Sequence, residues 1–357
     1  MNITLPSNSL ISSIVAISVS RIADCNINIK NENLRSFNRL YSLNYFSKNY
    51  LDSLGIWNLL DSSKIIPYDK IEIYKNSDKT IEFNASDVSV DFLGYIVSED
   101  DLVKNISDKV FNNIDINKTD ELTLSAGKYN LNIVSNHKDI YSTKNSNNFV
   151  SKDYAQTALN ITFKHSENNF GIPRQIFYED EILGLLPIDK NRYNLIWSMP
   201  NQTFNKIKSL GCEEYEKLIN IRAKFLLGNV SEINIGKSFS LSSRHANEYF
   251  YKNCFLIGES AHKFHPLAGL GLNMGIEDVA TLTNLISLNY DSKKIAIEYC
   301  IKRMNRNNNL QKLLDAIISF HSSKIISSGL QLKILKLFNK TFFLKPNIIR
   351  NATGLNR

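Results

Sequence analysis

The chain has 357 residues, 43% of them hydrophobic and 22% charged, a length and balance that suit a large folded protein and exclude a fibrous or disordered one. Lys and Arg number 42 against 35 Asp and Glu, a formal charge of +7. That excess permits attraction to phosphates or an anionic membrane face, but no basic run interleaved with stacking aromatics appears, so no nucleic acid partner is expected.

In chain order, residues 1–30 read as strand, turn, helix and strand: "MNITL", "PSNS", the apolar "LISSIVAISVSRIA" and the alternating "NINIK". That is the opening of a nucleotide-binding βαβ unit. The middle of the chain alternates apolar and polar residues in "KIEIYKNSDKTIEF", "YAQTALNITFKHS" and "YNLIWSMP", the pattern of an antiparallel sheet with one face in the core. The polar interval "HKDIYSTKNSNNFVSKD" is expected to be a loop. Residues 205–228 and most of 275–345 carry helical periodicity. The order predicts an α/β nucleotide fold interrupted by a sheet insertion, with its ligand between the two parts.

"CFLIGESAHKFHPLAGLGLNMGIEDVATL" is the most informative stretch. Its apolar run suits a buried strand, and Gly258 ends that strand where the backbone must turn sharply or admit a ligand. Glu259 then lies past a strand's carboxyl end, where open α/β sheets bind ligands, and a carboxylate there suits sugar-like hydroxyls. Pro266, Gly269 and Gly271 shape the following loop. A helix begins next, and its unpaired N–H groups and positive dipole end favour electron-rich oxygens. His262 and His265 have no carboxylate-rich neighbourhood and are read as loop or packing residues, with no metal. Cys25, Cys212, Cys254 and Cys300 form no CxxC or Cys/His cluster, which points to a reducing compartment. No apolar run reaches membrane-span length and no basic segment precedes the first apolar stretch, so a cytoplasmic location is expected, with contact at the inner face of a membrane.

Taken whole, the segment from Gly258 resembles the second FAD-binding motif of the FAD-dependent aromatic-ring monooxygenases, in which a strand ending Gly-Asp is followed by Ala-His, a Pro, Gly-x-Gly and Asn. Within them it is most similar to the ubiquinone-biosynthesis hydroxylases. "RLYSLNYFSKNYLDSLGIW", "LGYIVSEDDLVKNI", "DYAQTALNITF", "ILGLLPI" and "LIWSMP" follow in the family's order. The resemblance implies a p-hydroxybenzoate-hydroxylase-like architecture: a Rossmann-like FAD-binding fold interrupted by a mostly antiparallel substrate sheet, with a helical C-terminal tail. The expected FAD body spans 1–63, 95–146 and 246–300, the sheet body 64–94 and 147–245, and the tail 301–357. In that family FAD carries the redox chemistry, with NAD(P)H as electron donor, and an electron-rich phenol ring is hydroxylated; the protein positions and shields. Carried over, Gly258 and Glu259 would meet the ribityl chain. Pro266, Gly269, Gly271, Leu272 and Asn273 would line the flavin ring, and Arg39 matches an arginine placed near the cofactor. The implied substrate is a prenylated phenol or quinone precursor, with other ubiquinone-biosynthesis proteins as partners. No residue is assigned as a catalytic base.

The chain departs from the family at its phosphate motifs. Where the family has Gly-x-Gly-x-x-Gly, "SNSLIS" puts Ser7, Ser9 and Ser12 in place of the glycines that allow the tight turn, the close diphosphate approach and the helix–strand packing. Lys30 stands where an acidic residue meets the ribose, with Glu32 close by, and Asn136-His137-Lys138 replaces the central Asp-Gly. Glu259 stands for Asp and Leu270 for Gln. Two readings stay open: a monooxygenase that holds flavin chiefly through the second motif, or a non-catalytic descendant kept as a binding or scaffold subunit. The C-terminal "GLQLKILKLFNKTFFLKPNIIR" reads as a basic amphipathic helix, lying on the protein body or on a membrane surface.

Overall fold

The computed structural model describes all residues except 114, 125, 137, 139–147, 168–170, 324, 342–343 and 356–357. Three sheets organise the described residues. The first is built as the opening pattern predicts. Strand Asn2–Leu5 leads through helix Leu10–Val19 to strand Asn26–Lys30, and the two strands pair in parallel. Strand Asn130–Val134 pairs in parallel with the first strand on its other side, and Cys254–Leu256 pairs in parallel with it in turn. Ile3, Leu5, Ile27, Ile29, Leu131, Ile133, Phe255 and Leu256 are all buried, because a parallel sheet covered on both faces offers no wet side.

The second sheet has eight strands. The two long strands Phe149–His165 and Val230–Ala246 run antiparallel, and Arg192–Pro200 pairs with the former on its other edge. Along Arg192–Pro200 the alternation places Tyr193, Leu195, Trp197 and Met199 in a dry layer under helix Cys212–Leu227. One pairing, Arg174–Phe177 with Lys70–Lys75, is parallel, so the sheet is mostly antiparallel, as the sequence implies. The expected loop "HKDIYSTKNSNNFVSKD" lies largely outside the described residues, and its last part already belongs to the strand beginning at Phe149. A small third sheet pairs Leu40–Asn44 and Ile66–Tyr68 with Gly94–Ser98.

The C-terminal part is helical: Leu270–Ser287, Ser292–His321, Ser328–Asn339 and Leu344–Thr353. The single helix expected over the last basic stretch is therefore two. The first ends where the N–H groups of Lys340 and Thr341 close tight turns onto Leu337 and Phe338 carbonyls. No helix among the described residues is long and apolar enough to cross a membrane.

Candidate cofactor site

The site is assembled where the first sheet's carboxyl ends meet the second sheet's edge. Strand Cys254–Leu256 ends at Gly258, whose φ of +53° lies in the left-handed region that only glycine adopts at little cost. The turn throws the Glu259 side chain outward into solvent while Ser260 and Ala261 stay buried. The segment then lends the two-residue strand His262–Lys263 to the second sheet, pairing with Arg244 and His245. Arg244 donates to the Glu259 carbonyl at 2.8 Å. Gln175 donates to the Leu267 carbonyl. The loop between the two sheets is thus gripped from the sheet side by side chains, not by continuous pairing.

Gly269 takes a φ of +60° and serves as the N-cap of helix Leu270–Ser287 with no side-chain cap bond. The first-turn amides of that helix are left for whatever occupies the cleft. Gly269 and Gly271 are exposed, and a Cβ added at Gly271 would meet nothing within 4 Å. Gly271 therefore has room for a larger group beside it, while a Cβ on Gly269 would meet the Ser42 Cβ at 3.6 Å. Leu272 is partly buried against the main core, and Pro266 begins the short helical turn Pro266–Ala268. Asn273 is 1% exposed. Its amide donates to the Ser42 and Gly269 carbonyls and accepts from the Asn44 N–H at 2.9 Å. It fixes the helix start against strand Leu40–Asn44, while its neighbours Gly269 and Gly271 face the opening.

Across the opening stands a cluster that sequence reasoning names only through Arg39. Glu99 is 4% exposed and accepts from the Phe37 N–H at 2.8 Å, the Arg39 N–H at 3.3 Å and the Tyr41 hydroxyl at 2.6 Å. The half-exposed Arg39 guanidinium lies 3.6 Å from the same carboxylate and 4.7 Å from the Phe37 ring centroid. Burial first, and then the bond to Glu99 and its charge, push the Tyr41 phenol well above its ordinary pKa; Glu259 adds to this and Arg39 opposes it. One buried carboxylate therefore organises the loop carrying Arg39.

Below the Gly258 turn lies a second group of residues with no sequence motif. Asp278 is completely buried. One oxygen accepts the Gly258 N–H at 2.9 Å and meets His262 Nε2 at 2.6 Å. The other accepts from Arg303 Nε at 2.7 Å. Burial works against its charge, but His262 and Arg303, with the Gly258 bond, hold its carboxyl at about 2. Arg303 also donates to Glu277, which receives Arg306 as well. The signal available in the sequence is a pair of acids, Glu277 and Asp278, inside an apolar helix, and Arg303 and Arg306 at helical spacing in the next.

At the front of the first sheet the three serines behave differently from glycines. Ser9 caps helix Leu10–Val19 by accepting the Ser12 N–H at 3.0 Å. The Ser9, Ser12 and Ser135 hydroxyls close a triangle with edges of 2.6, 2.7 and 3.1 Å. Ser12 is fully buried in it, so the helix–strand approach that glycine normally permits is kept by a hydroxyl bond to the neighbouring strand's end. Ser7 is buried beside them. Ile11 supplies the remaining contact: a Cβ on Gly275 would stand 2.7 Å from its Cδ1, so the two helix starts meet across that glycine. Asn8 donates to the Glu32 carbonyl at 2.6 Å, and Lys30 pairs with Glu32. A cavity of about 440 Å³ opens beside Pro6 and Lys30, lined also by Asp120, Glu121, Leu122 and Thr123. Of the Asn136-His137-Lys138 segment, His137 lies outside the described residues, and Asn136 accepts the Lys138 N–H at 3.1 Å.

The FAD binding domain family model matches residues 146–305. The 3-demethoxyubiquinol 3-hydroxylase of Escherichia coli is 23% identical over 347 residues, covering 89% of this chain and 87% of that protein. Ubiquinone hydroxylase UbiL of Rhodospirillum rubrum is 27% identical over 208 residues, 56% of this chain and 48% of that protein, so this match spans about half of its length. Among solved structures, pqsL of Pseudomonas aeruginosa, a probable FAD-dependent monooxygenase, superposes with a TM-score of 0.73 at 14% identity, over 94% of this chain and 99% of its own. Klebsiella pneumoniae HpxO, solved with FAD and uric acid, gives 0.71 at 12% identity, over 99% and 96%. The fold is the p-hydroxybenzoate-hydroxylase-like fold of the FAD-dependent monooxygenases. In sequence the chain is similar, at 23–27% identity, to these ubiquinone-biosynthesis hydroxylases.

Proposed function

We propose that the protein binds FAD in this cleft and hydroxylates the ring of a prenylated phenol or quinone precursor in ubiquinone biosynthesis, with NAD(P)H as donor. The observation that carries the reading is the uncapped start of helix Leu270–Ser287 at Gly269 and Gly271, set against the outward Glu259 carboxylate. The residues fit the cofactor best at its flavin and ribityl end. Glu259 is free to accept from ribityl hydroxyls. The backbone from Gly269 to Leu272 offers donors and a positive dipole end to the electron-rich edge of a reduced ring. At the diphosphate end the fit is tighter: the Ser9 Cβ stands where glycine would leave room, and with the Ser12 N–H taken by the Ser9 hydroxyl the Leu10 and Ile11 amides are left as phosphate donors. FAD, when bound, supplies the redox chemistry that activates dioxygen.

The chain's own contribution is positioning and exclusion of water. Asp278 fixes the Gly258 turn, Asn273 fixes the helix start, and Glu99 fixes the Phe37–Tyr41 loop across from them. In this reading residues 1–63, 95–146 and 246–300 hold the cofactor, 64–94 and 147–245 the substrate, and 301–357 form the tail. The test is to supply FAD-reconstituted protein with NAD(P)H and a demethoxy-type prenylated phenol. Substrate-stimulated NAD(P)H consumption with a product heavier by one oxygen supports the reading. Absence of product from flavin-loaded protein, with several ring-substitution patterns tried, overturns it.

A further inference from the structure

Residues 316–357 hold seven basic side chains and no acidic one. That equals the +7 of the whole chain, so residues 1–315 balance at 35 of each sign. The net charge therefore equals that of residues 316–357 alone.

Helix Ser328–Asn339 lies in that tail, against strand Asp78–Asn84. Its seated side carries the partly buried Leu332, Leu335 and Phe338 together with polar bonds. Gln331, 2% exposed, donates to the Phe320 carbonyl at 2.7 Å. Asn339 accepts the Glu82 N–H at 3.1 Å, and Lys336 pairs with Asp78 at 3.0 Å. The outward side is apolar. Leu330, Ile334 and Leu337 are 51%, 42% and 69% exposed, and their spacing of four and three residues puts them in one stripe. Lys333 and Lys340 lie along one side of the stripe, and among the described residues neither has an ion-pair partner. Ile325, 98% exposed, stands just before the helix. The helix thus carries an exposed apolar stripe in addition to the Leu332, Leu335 and Phe338 side that it turns inward.

We propose that this face docks on a bilayer surface containing anionic lipid, with Leu330, Ile334 and Leu337 entering the headgroup–acyl boundary and Lys333 and Lys340 meeting lipid phosphates. Apolar side chains bordered on one side by unpaired lysines are the chemistry of an interfacial helix. A second copy of the same face fits less well, because it would oppose two basic tails. The inference stands independently of what the cleft holds.

The test is co-sedimentation of the full-length protein with phosphatidylcholine vesicles and with vesicles that also contain phosphatidylglycerol. Binding is expected only with the anionic lipid and is expected to fall with salt. The double substitution Lys333→Glu and Lys340→Glu should weaken it by about tenfold or more, and Leu337→Ser by several-fold, with thermal unfolding unchanged because the sites are exposed. No binding to the anionic vesicles, equal binding by the variants, or a concentration-dependent dimer that Leu337→Ser abolishes would each overturn the proposal.

Discussion

Replacing Asp278 with Asn removes one charge and one acceptor while nearly preserving volume. Asp278 accepts from Gly258, His262, Arg303 and Asn307 and is fully buried, while its partner Arg303 is 2% exposed. Breaking a buried ion pair from one side costs about 3–5 kcal/mol, because the remaining charge is stranded away from water. The entropy of unfolding scales with length and comes to about 0.75 kcal/mol/K for this chain, so the melting temperature should fall by about 4–7 °C. Thermal unfolding followed by circular dichroism measures this directly. A fall below about 1 °C in this variant, against that expectation, would refute the assignment of Asp278 as the pivot beneath the Gly258 turn.

Acid should unfold the protein in two stages. Burial lowers His245, His265 and His321 from 6.5 to about 4, so below pH 6.5 the unfolded chain takes up protons that the folded chain refuses. Each histidine then removes up to about 3 kcal/mol as pH falls from 6.5 to 4. Asp278 works in the next window, contributing stability that is lost between its ordinary value of 3.8 and about 2; denaturant midpoints measured across pH 7 to 4 should decline steeply, and a flat profile contradicts the burial of those rings. Ser9→Gly should cost only a few tenths of a kcal/mol, since glycine is itself a tolerable N-cap, whereas Ser9→Ala should cost about 1 kcal/mol. The glycine variant should bind FAD more tightly by isothermal titration, and an unchanged affinity would mean that the Ser9 Cβ does not limit the diphosphate approach.

The βαβ opening was legible because periodicity changes from helix-like to strand-like within thirty residues, and the second motif because its Gly, Glu and Pro punctuate a strand, a loop and a helix in fixed order. What pairs across long separations was not legible. Asp278 and Arg303 lie on different helices, and only packing makes one the counter-charge of the other. Glu99 sits 58 positions from the Tyr41 hydroxyl it accepts. The serines read as damaged glycines, and only the fold reveals Ser135 as the partner that closes the triangle with Ser9 and Ser12. Asn273 was legible as part of the motif, but its work as a staple to Ser42 and Asn44 depends on a strand more than two hundred residues earlier.

The most direct measurement is an equilibrium titration of purified apoprotein with FAD, read by flavin fluorescence, for the native chain and for Gly271→Phe. The native chain should saturate. The phenylalanine fills space that is open at Gly271, so the variant should melt at the native temperature or slightly above it, glycine being a poor helix residue, yet bind FAD at least about tenfold more weakly, a loss of about 1.4 kcal/mol. A native chain that takes up no FAD, or a folded Gly271→Phe variant that binds it equally well, would contradict the placement of the cofactor at this helix start.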